Sequence, residues 1–148
     1  MSMNIEVRKA TLEDLPRVYE IELLSFKDPY PFGYLKALYY LSPIFLVATL
    51  NNEVVGYIIA MLKWGSLGHI ISLAVHPHHR RKGIGKLLLN KTLNLLKGLG
   101  ALTCRLEVRE DNEPAISLYR SLGFLEDHRI KGYYKDGTTA IVMIKKLS

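Results

Sequence analysis

The sequence predicts a mixed α/β fold in one domain over residues 1–148, and three observations support this. The chain has 148 residues, 49% of them hydrophobic, which is the size and apolar content of one sizeable core. Its apolar residues alternate in some short runs and recur at helical spacing in others. No internal repeat, low-complexity stretch or linker divides it.

Taken in order, Ile5 and Val7 alternate with charged neighbours as a short first strand. Thr11, followed three residues later by Asp14, is a capping signal for a helix carrying Leu15, Val18, Tyr19 and Leu23. Asp28-Pro29-Tyr30-Pro31 must be extended or turned, because each proline disfavours helix for its predecessor; a short second helix then fits 32–41. Strands over 44–50 and 54–64 flank a hairpin turn at Asn51-Asn52-Glu53, and a third over 69–75 follows Gly65-Ser66-Leu67-Gly68, which predicts an antiparallel meander. From 84 to 99 the period turns helical through Ile84, Leu87, Leu88, Lys91, Leu95, Leu96 and Leu99, with Gly98 and Gly100 near the stop. A strand over 102–108 and a helix over 113–122 with Pro114 in its first turn come next. A final pair of strands runs from Phe124 and turns at Lys135-Asp136-Gly137.

Twenty Lys+Arg against fourteen Asp+Glu give a net charge of +6, which predicts attraction to a polyanion without choosing among nucleic acid, an acidic surface and a phosphorylated cofactor. The longest apolar runs, such as Ile44-Phe45-Leu46-Val47-Ala48, are far shorter than a membrane span, and Met1-Ser2-Met3-Asn4-Ile5-Glu6 lacks a signal-peptide layout. A soluble cytoplasmic protein without membrane association is expected. The single cysteine, Cys104, makes no intrachain disulfide and reads as a packed strand position in a reducing compartment.

The strongest local signal lies where the apolar strand Ile70-Ile71-Ser72-Leu73-Ala74-Val75 runs through His76-Pro77-His78-His79 into Arg80-Arg81-Lys82-Gly83-Ile84-Gly85-Lys86 and a helix. Gly83 and Gly85 let the backbone approach an anion, and the unpaired N–H groups of a helix head point at it. The spacing is that of neither a P-loop nor a dinucleotide fingerprint. By itself the loop is also readable as an ordinary basic helix start, or as the phosphate patch of a nucleic-acid-binding module, which would be a non-enzymatic role. His76, His78 and His79 lack the acid partners and repeated spacing of a metal site, so no metal is expected and a solvated loop is the reading.

Arg80-x-x-Gly83-x-Gly85 resembles the acetyl-CoA signature of the GNAT superfamily, [QR]-x-x-G-x-[GA], placed after a strand and at a helix head. Downstream, Asn112-Glu113-Pro114-Ala115-Ile116-Ser117-Leu118-Tyr119-Arg120-Ser121-Leu122-Gly123-Phe124 resembles the superfamily's N-x-x-A-x-x-L-Y-x-x-L-G-F segment. Within the superfamily, Leu106-Glu107-Val108-Arg109 and Gly132-Tyr133-Tyr134-x-Asp136-Gly137 look like the ribosomal-protein alanine acetyltransferases and the catalytic subunits of N-terminal acetyltransferase complexes. The resemblance spans nearly the whole chain. It implies a GNAT fold, a largely antiparallel twisted sheet of about seven strands flanked by about four helices and splayed where pantetheine enters.

The same resemblance implies acetyl-CoA as cosubstrate, with Leu73, Ala74 and Val75 along the pantetheine, Arg80, Arg81, Lys82, Gly83, Ile84, Gly85 and Lys86 at the pyrophosphate, and Asn112 and Tyr119 completing that side. Tyr119 matches the position proposed to protonate the departing thiolate, Glu107 the position proposed as general base, and His69 a position that in some relatives faces the acceptor amine. The implied acceptor is a protein or peptide N-terminus, with a ribosomal protein or ribosome as partner and direct transfer in a ternary complex. Phe26, Pro29, Tyr30, Tyr133 and Tyr134 would wall its groove. Read from the residues alone, Glu107 is a strand carboxylate paired to Arg105 or Arg109 and Tyr119 a core aromatic with its hydroxyl at the rim, while His69 is equally a structural histidine.

Acetyl transfer needs a neutral amine, a proton acceptor and a donor near sulfur. At pH 7 roughly a tenth of α-amines are neutral but only about one lysine in several thousand, so an N-terminus asks less of the base. A lysine, polyamine or other small amine is the alternative acceptor. One departure bears on acceptor choice: relatives usually continue Tyr-Tyr-x-Asp-Gly with Glu-Asp-Ala, and here Thr138-Thr139-Ala140 stand instead. The loss of two carboxylates either relaxes a preference for basic peptides or alters a hairpin.

Overall fold

The computed structural model describes residues 4–147; Met1, Ser2 and Met3, which open the stretch read for targeting, and Ser148 lie outside the described residues. The elements are β1 (Ile5–Lys9), α1 (Leu15–Ser25), α2 (Phe32–Leu41), β2 (Ile44–Leu50), β3 (Glu53–Lys63), β4 (Leu67–Val75), α3 (Ile84–Gly98), β5 (Thr103–Arg109), α4 (Glu113–Ser121), β6 (Leu125–Ile130) and β7 (Ala140–Lys146). Short 3-10 turns occupy Leu12–Asp14 and Pro77–His79. The strands form one seven-stranded sheet in the order β1-β2-β3-β4-β5-β7-β6, the mixed α/β class and helix number that the sequence predicts.

β1 to β4 form an antiparallel meander. Its first tight turn uses Asn51 and Asn52 at φ 51° and 65°, a left-handed backbone that asparagine tolerates. The capping signal before α1 works through Asp14, whose carboxylate accepts the Thr11 N–H at 2.7 Å and the Arg8 guanidinium at 2.7 and 3.0 Å. Helices cover both faces of the sheet. On one face, Leu88, Leu89 and Leu96 of α3 and Ile116 of α4 pack on Ile58, Cys104, Leu106 and Met143. On the other, Leu15, Val18 and Ile21 of α1 and Leu35 and Leu38 of α2 pack on Phe45, Val47, Tyr57 and Ile59. Each such aliphatic side chain, fully buried, contributes about 1.5–3 kcal/mol before entropy is charged against it. Among the described residues, no helix is long and apolar enough to cross a membrane.

Two irregularities make room for a site. β4 and β5 pair in parallel only where Leu67, Gly68 and His69 face Thr103, Cys104 and Arg105, yet β4 continues to Val75 and β5 to Arg109. The strands therefore part and leave a cleft. On β4, Ser72 pairs with Ile59 and Ile70 with Ala60, so Ile71 has no partner and forms a β-bulge. The bulge resets the alternation, putting Ser72 on the α1 side while Leu73 faces the α3 side.

The last two strands differ from a tight hairpin. Their pairing stops at Ile130 and Ala140, and residues 131–139 form a loop in which Tyr134 donates its N–H to Thr138 O at 3.2 Å and accepts that of Gly137 at 2.9 Å. The Lys135-Asp136-Gly137 turn is present within this loop. Gly132 and Gly137 at φ 65° and 84° carry the chain away from the sheet, so Tyr133 and Tyr134 stand in the loop and not on a strand.

Candidate functional site

The cleft is a cavity of about 460 Å³ walled by residues 70–73 of β4, residues 106–109 of β5, the loop 26–31 between α1 and α2, and Tyr133 and Tyr134 of the β6–β7 loop. Asn112, Ala115 and Tyr119 close one side. Alternation along β5 explains which side chains enter: Cys104, Leu106 and Val108 are buried in the core, so Arg105, Glu107 and Arg109 face the other way.

Glu107 is held on both oxygens. His69 Nε2 lies 2.7 Å from Oε1, and Arg105 Nε donates to Oε2 at 2.7 Å. Lys63 Nζ sits 2.7 Å from His69 Nδ1; as an ammonium it donates there, which places the ring proton on Nε2, directed at Glu107. Burial pushes the Glu107 carboxyl up, but the bonds from His69 and Arg105 and the charge of Arg105 outweigh it and hold the group below its ordinary range. Of the two partners open to Glu107 in the sequence, Arg105 takes the pair. Arg109 binds elsewhere.

Arg109 joins the two loops at the cleft mouth. Its guanidinium donates to Asp136 and, at 2.7 Å, to Thr138 Oγ1, stacks 4.8 Å from the Tyr134 ring centre, and lies 4.0 Å from the Asp28 carboxylate. Asp28 also accepts the Lys135 N–H at 3.3 Å. Thr138 thus bonds the loop's anchor and is not among the cavity walls.

Phe26, Pro29, Tyr30, Tyr133 and Tyr134 all line the cavity. Burial pushes the Tyr30 phenol up to about 12, with the Tyr34, Glu22, Tyr133 and Glu107 charges adding to it. Burial likewise raises Tyr133 and Tyr134, with Glu107 contributing to both. These hydroxyls keep their protons at neutral pH and are available as donors. Tyr119 packs edge-on to Phe124, with centroids 5.9 Å apart, and borders the cavity; burial alone pushes it up to about 12. Asn112 caps α4, its Oδ1 accepting the Ala115 N–H at 3.3 Å.

The head of α3 stands at the far end of β4. Gly83 takes φ 78° as N-cap, and the first backbone bond runs from Leu87 N–H to Gly83 O, leaving the N–H groups of Ile84, Gly85 and Lys86 without partners inside the helix. A Cβ on Gly85 would stand 3.3 Å from Leu118 Cδ2 and 3.8 Å from Val75 Cγ2, so the helix head is pressed between β4 and α4. Arg81, at φ 63°, with Lys82 and Lys86, surrounds this head in exposed positions. Arg80 behaves differently, donating to Val75 O at 3.0 Å and to Ser25 Oγ at 3.3 Å. Because His76 N–H bonds Val55 O on β3, the Val75 carbonyl points to the cleft side of β4, and Arg80 occupies it. Leu73 lines the cavity, whereas Ala74 packs in the α1–α2 core. The solvated reading of the histidines needs correction at His76, which is buried and accepts the His78 N–H on Nδ1 at 3.1 Å.

Sequence reasoning missed Glu22, which lies on the cavity yet is 1% exposed, and Ser72, its partner. A carboxylate between Ile21 and Leu23 on an amphipathic helix reads as solvent-facing; its place seven residues after Leu15 and four after Val18, on the same helical stripe, was the one available signal. Lys63 was missed as the last residue of a long strand.

Residues 15–124 match the family model described as "Acetyltransferase (GNAT) family". An N-alpha-acetyltransferase of Sulfurisphaera tokodaii is 36% identical, over 95% of this chain and 92% of its own length. Among solved structures, Ard1 from Thermoplasma volcanium superposes with a TM-score of 0.93 at 31% identity, covering 96% of this chain and 97% of that one. The ribosomal-protein-S18-alanine N-acetyltransferase from Escherichia coli gives 0.90 at 29% identity, over 98% and 95%.

Proposed function

The chain belongs to the GNAT family of acetyltransferases, and from that premise we propose that it acetylates protein N-terminal α-amines with acetyl-CoA, by direct transfer within a ternary complex. One observation carries the reading: the parted β4–β5 cleft has a helix head suited to a phosphate anion at one end and a tyrosine-walled mouth at the other, with Glu107 on the wall between. Two relatives, named N-alpha-acetyltransferase and [ribosomal protein bS18]-alanine N-acetyltransferase, support the same acceptor.

The residues fit the cosubstrate. Gly85 leaves no side chain in the narrow space between β4 and α4, the N–H groups of Ile84, Gly85 and Lys86 are free for a pyrophosphate, and Arg81, Lys82 and Lys86 add charge. Acetyl-CoA supplies the acyl group as a thioester. Glu107 accepts the proton released by the amine, directly or through one water, while His69 and Arg105 hold its carboxylate in place; His69 is then a positioning residue, since both its nitrogens are engaged. Tyr119 keeps its proton for the departing sulfur. Tyr30, Tyr133 and Tyr134 donate to the backbone of the bound peptide. Cys104 is fully buried and its thiol is pushed up to about 12, so it offers no thiolate for an acyl-enzyme.

A ribosomal-protein N-terminus, the acceptor in the name of the Escherichia coli neighbour, is the first peptide to try, and a cytoplasmic location goes with it. Initial rates measured against both substrates test direct transfer: intersecting double-reciprocal lines are expected, and parallel lines contradict it.

A further inference from the structure

We propose that Glu22 is a positioning residue for the acceptor peptide, a buried carboxylate that fixes the 26–31 loop against β3 and β4 and so sets where Tyr30 meets the substrate. The inference rests on the reading of the cleft as a peptide site. Glu22 sits on α1 at 1% exposure, and donors from three separate elements reach it. The Tyr57 hydroxyl of β3 donates to Oε1, the Ser72 hydroxyl of β4 lies 3.2 Å from the same oxygen, and the Tyr30 N–H donates to Oε2 at 3.0 Å. Tyr57 and Ser72 are themselves 3.1 Å apart, so two hydroxyl protons are shared among three contacts and the network is closed.

The geometry gives this network a task beyond holding the core. Ser72 reaches Glu22 only because the bulge at Ile71 turns it toward α1, and it adjoins Leu73 on the cleft wall. One end of the network is therefore fixed to the strand that borders the cleft. The other end holds a loop whose prolines, Pro29 and Pro31, leave the Tyr30 N–H as the donor between them. A second tie on that loop is Asp28, which joins it to Lys135 and Arg109 across the mouth. Glu22 is the inner anchor and Asp28 the outer one.

Burial raises the Glu22 carboxyl above its ordinary value, with the bonds from Tyr57, Tyr30 and Ser72 opposing. A carboxyl raised in the folded state favours folding below its unfolded value and loses that contribution as pH rises, so at neutral pH its burial works against stability. Replacing Glu22 alone with an apolar side chain leaves the Tyr57 and Ser72 hydroxyls and the Tyr30 N–H without this acceptor, which offsets any gain from removing the buried charge.

The test uses Glu22→Met and Glu22→Gln in the full chain, with kinetics at neutral pH and amide hydrogen exchange at Tyr30. Glu22→Met is expected to raise the peptide KM about tenfold and hasten Tyr30 amide exchange, with kcat and the acetyl-CoA KM nearly unchanged. Glu22→Gln, whose amide oxygen still accepts the Tyr30 N–H, should recover most of the peptide KM. An unchanged peptide KM in Glu22→Met, or a joint fall of kcat, both affinities and melting temperature in both variants, overturns the proposal. Should Glu22→Met fail to fold, Glu22→Gln decides alone, because its neutral bond must hasten Tyr30 exchange measurably. If the wild type acetylates no peptide, the functional reading fails, and the exchange measurement then reports separately whether Glu22 anchors the loop.

Discussion

Glu107 has two donors on its two oxygens, 2.7 Å each, and these bonds fix both its position and its acidity. A carboxylate held below its ordinary range is charged throughout the working pH range, so its ionisation does not limit the rate near neutrality. The rate should instead follow the acceptor: kcat/KM for a peptide is expected to rise with pH through about 7.7–8.0, the range of an α-amine. Glu107→Gln should lower kcat by about 10²–10⁴ while the acetyl-CoA KM holds, as the proposed role of proton acceptor predicts. The same residue affects stability. Its folded value is depressed, so its contribution is complete above the ordinary carboxylate range and is lost as pH falls through the folded value. Acid unfolding of Glu107→Gln should be correspondingly less steep, which circular dichroism against pH can follow.

At the scale of elements, α3 and the parting of β4 from β5 carry the site. The head of α3 depends on Gly85, where any Cβ stands 3.3 Å from Leu118. Acetyl-CoA should raise the melting temperature of the wild type and fail to do so for Gly85→Glu, which puts bulk and negative charge where the pyrophosphate is proposed. Gly56 makes a similar demand from β3: a Cβ there would meet Ala74 O at 3.1 Å and Ile84 and Leu88 side chains at 3.3 Å. Gly56→Ala should cost about 1–3 kcal/mol, read from denaturant unfolding. Most elements were legible because their apolar residues keep a period: alternation in Thr103–Arg109 and helical recurrence in Ile84–Gly98 are properties of the local sequence. The bulge at Ile71 was not legible, since it exists only relative to the register of β3. Nor was the long loop at 131–139; its turn residues mark where the chain reverses, and not how far before the turn the strands stop pairing.

Across the whole molecule, the helix head after Arg80 to Gly85 was legible as a place for an anion because its glycines and basic residues precede a helical period; the resemblance of Asn112 to Phe124 to the GNAT segment is what turned it into a proposed acetyl-CoA site. The wall proposed for the acceptor was legible only in part. Tyr30, Tyr133 and Tyr134 come together from two loops far apart in sequence, and the groups that hold those loops, Glu22 and Arg109, are polar residues whose partners lie on other elements. Arg80 shows the limit within a motif: its sequence position marks the loop, while its guanidinium spans to Val75 and Ser25. The core supplies one further check on mechanism. Cys104 is wholly buried, so Cys104→Ala should leave kcat within about twofold and lower stability by no more than about 2–3 kcal/mol of lost packing, measured by activity and unfolding together.

The central claim, acetylation of a protein N-terminus, is tested most directly with one peptide in two forms, free and blocked at its α-amine, each carrying an internal lysine, assayed beside spermidine with acetyl-CoA. Acetylation of the free peptide alone, at its α-amine by mass spectrometry and lost with Glu107→Gln, is the expected result. Equal acetylation of the blocked peptide, or preference for spermidine, would contradict it.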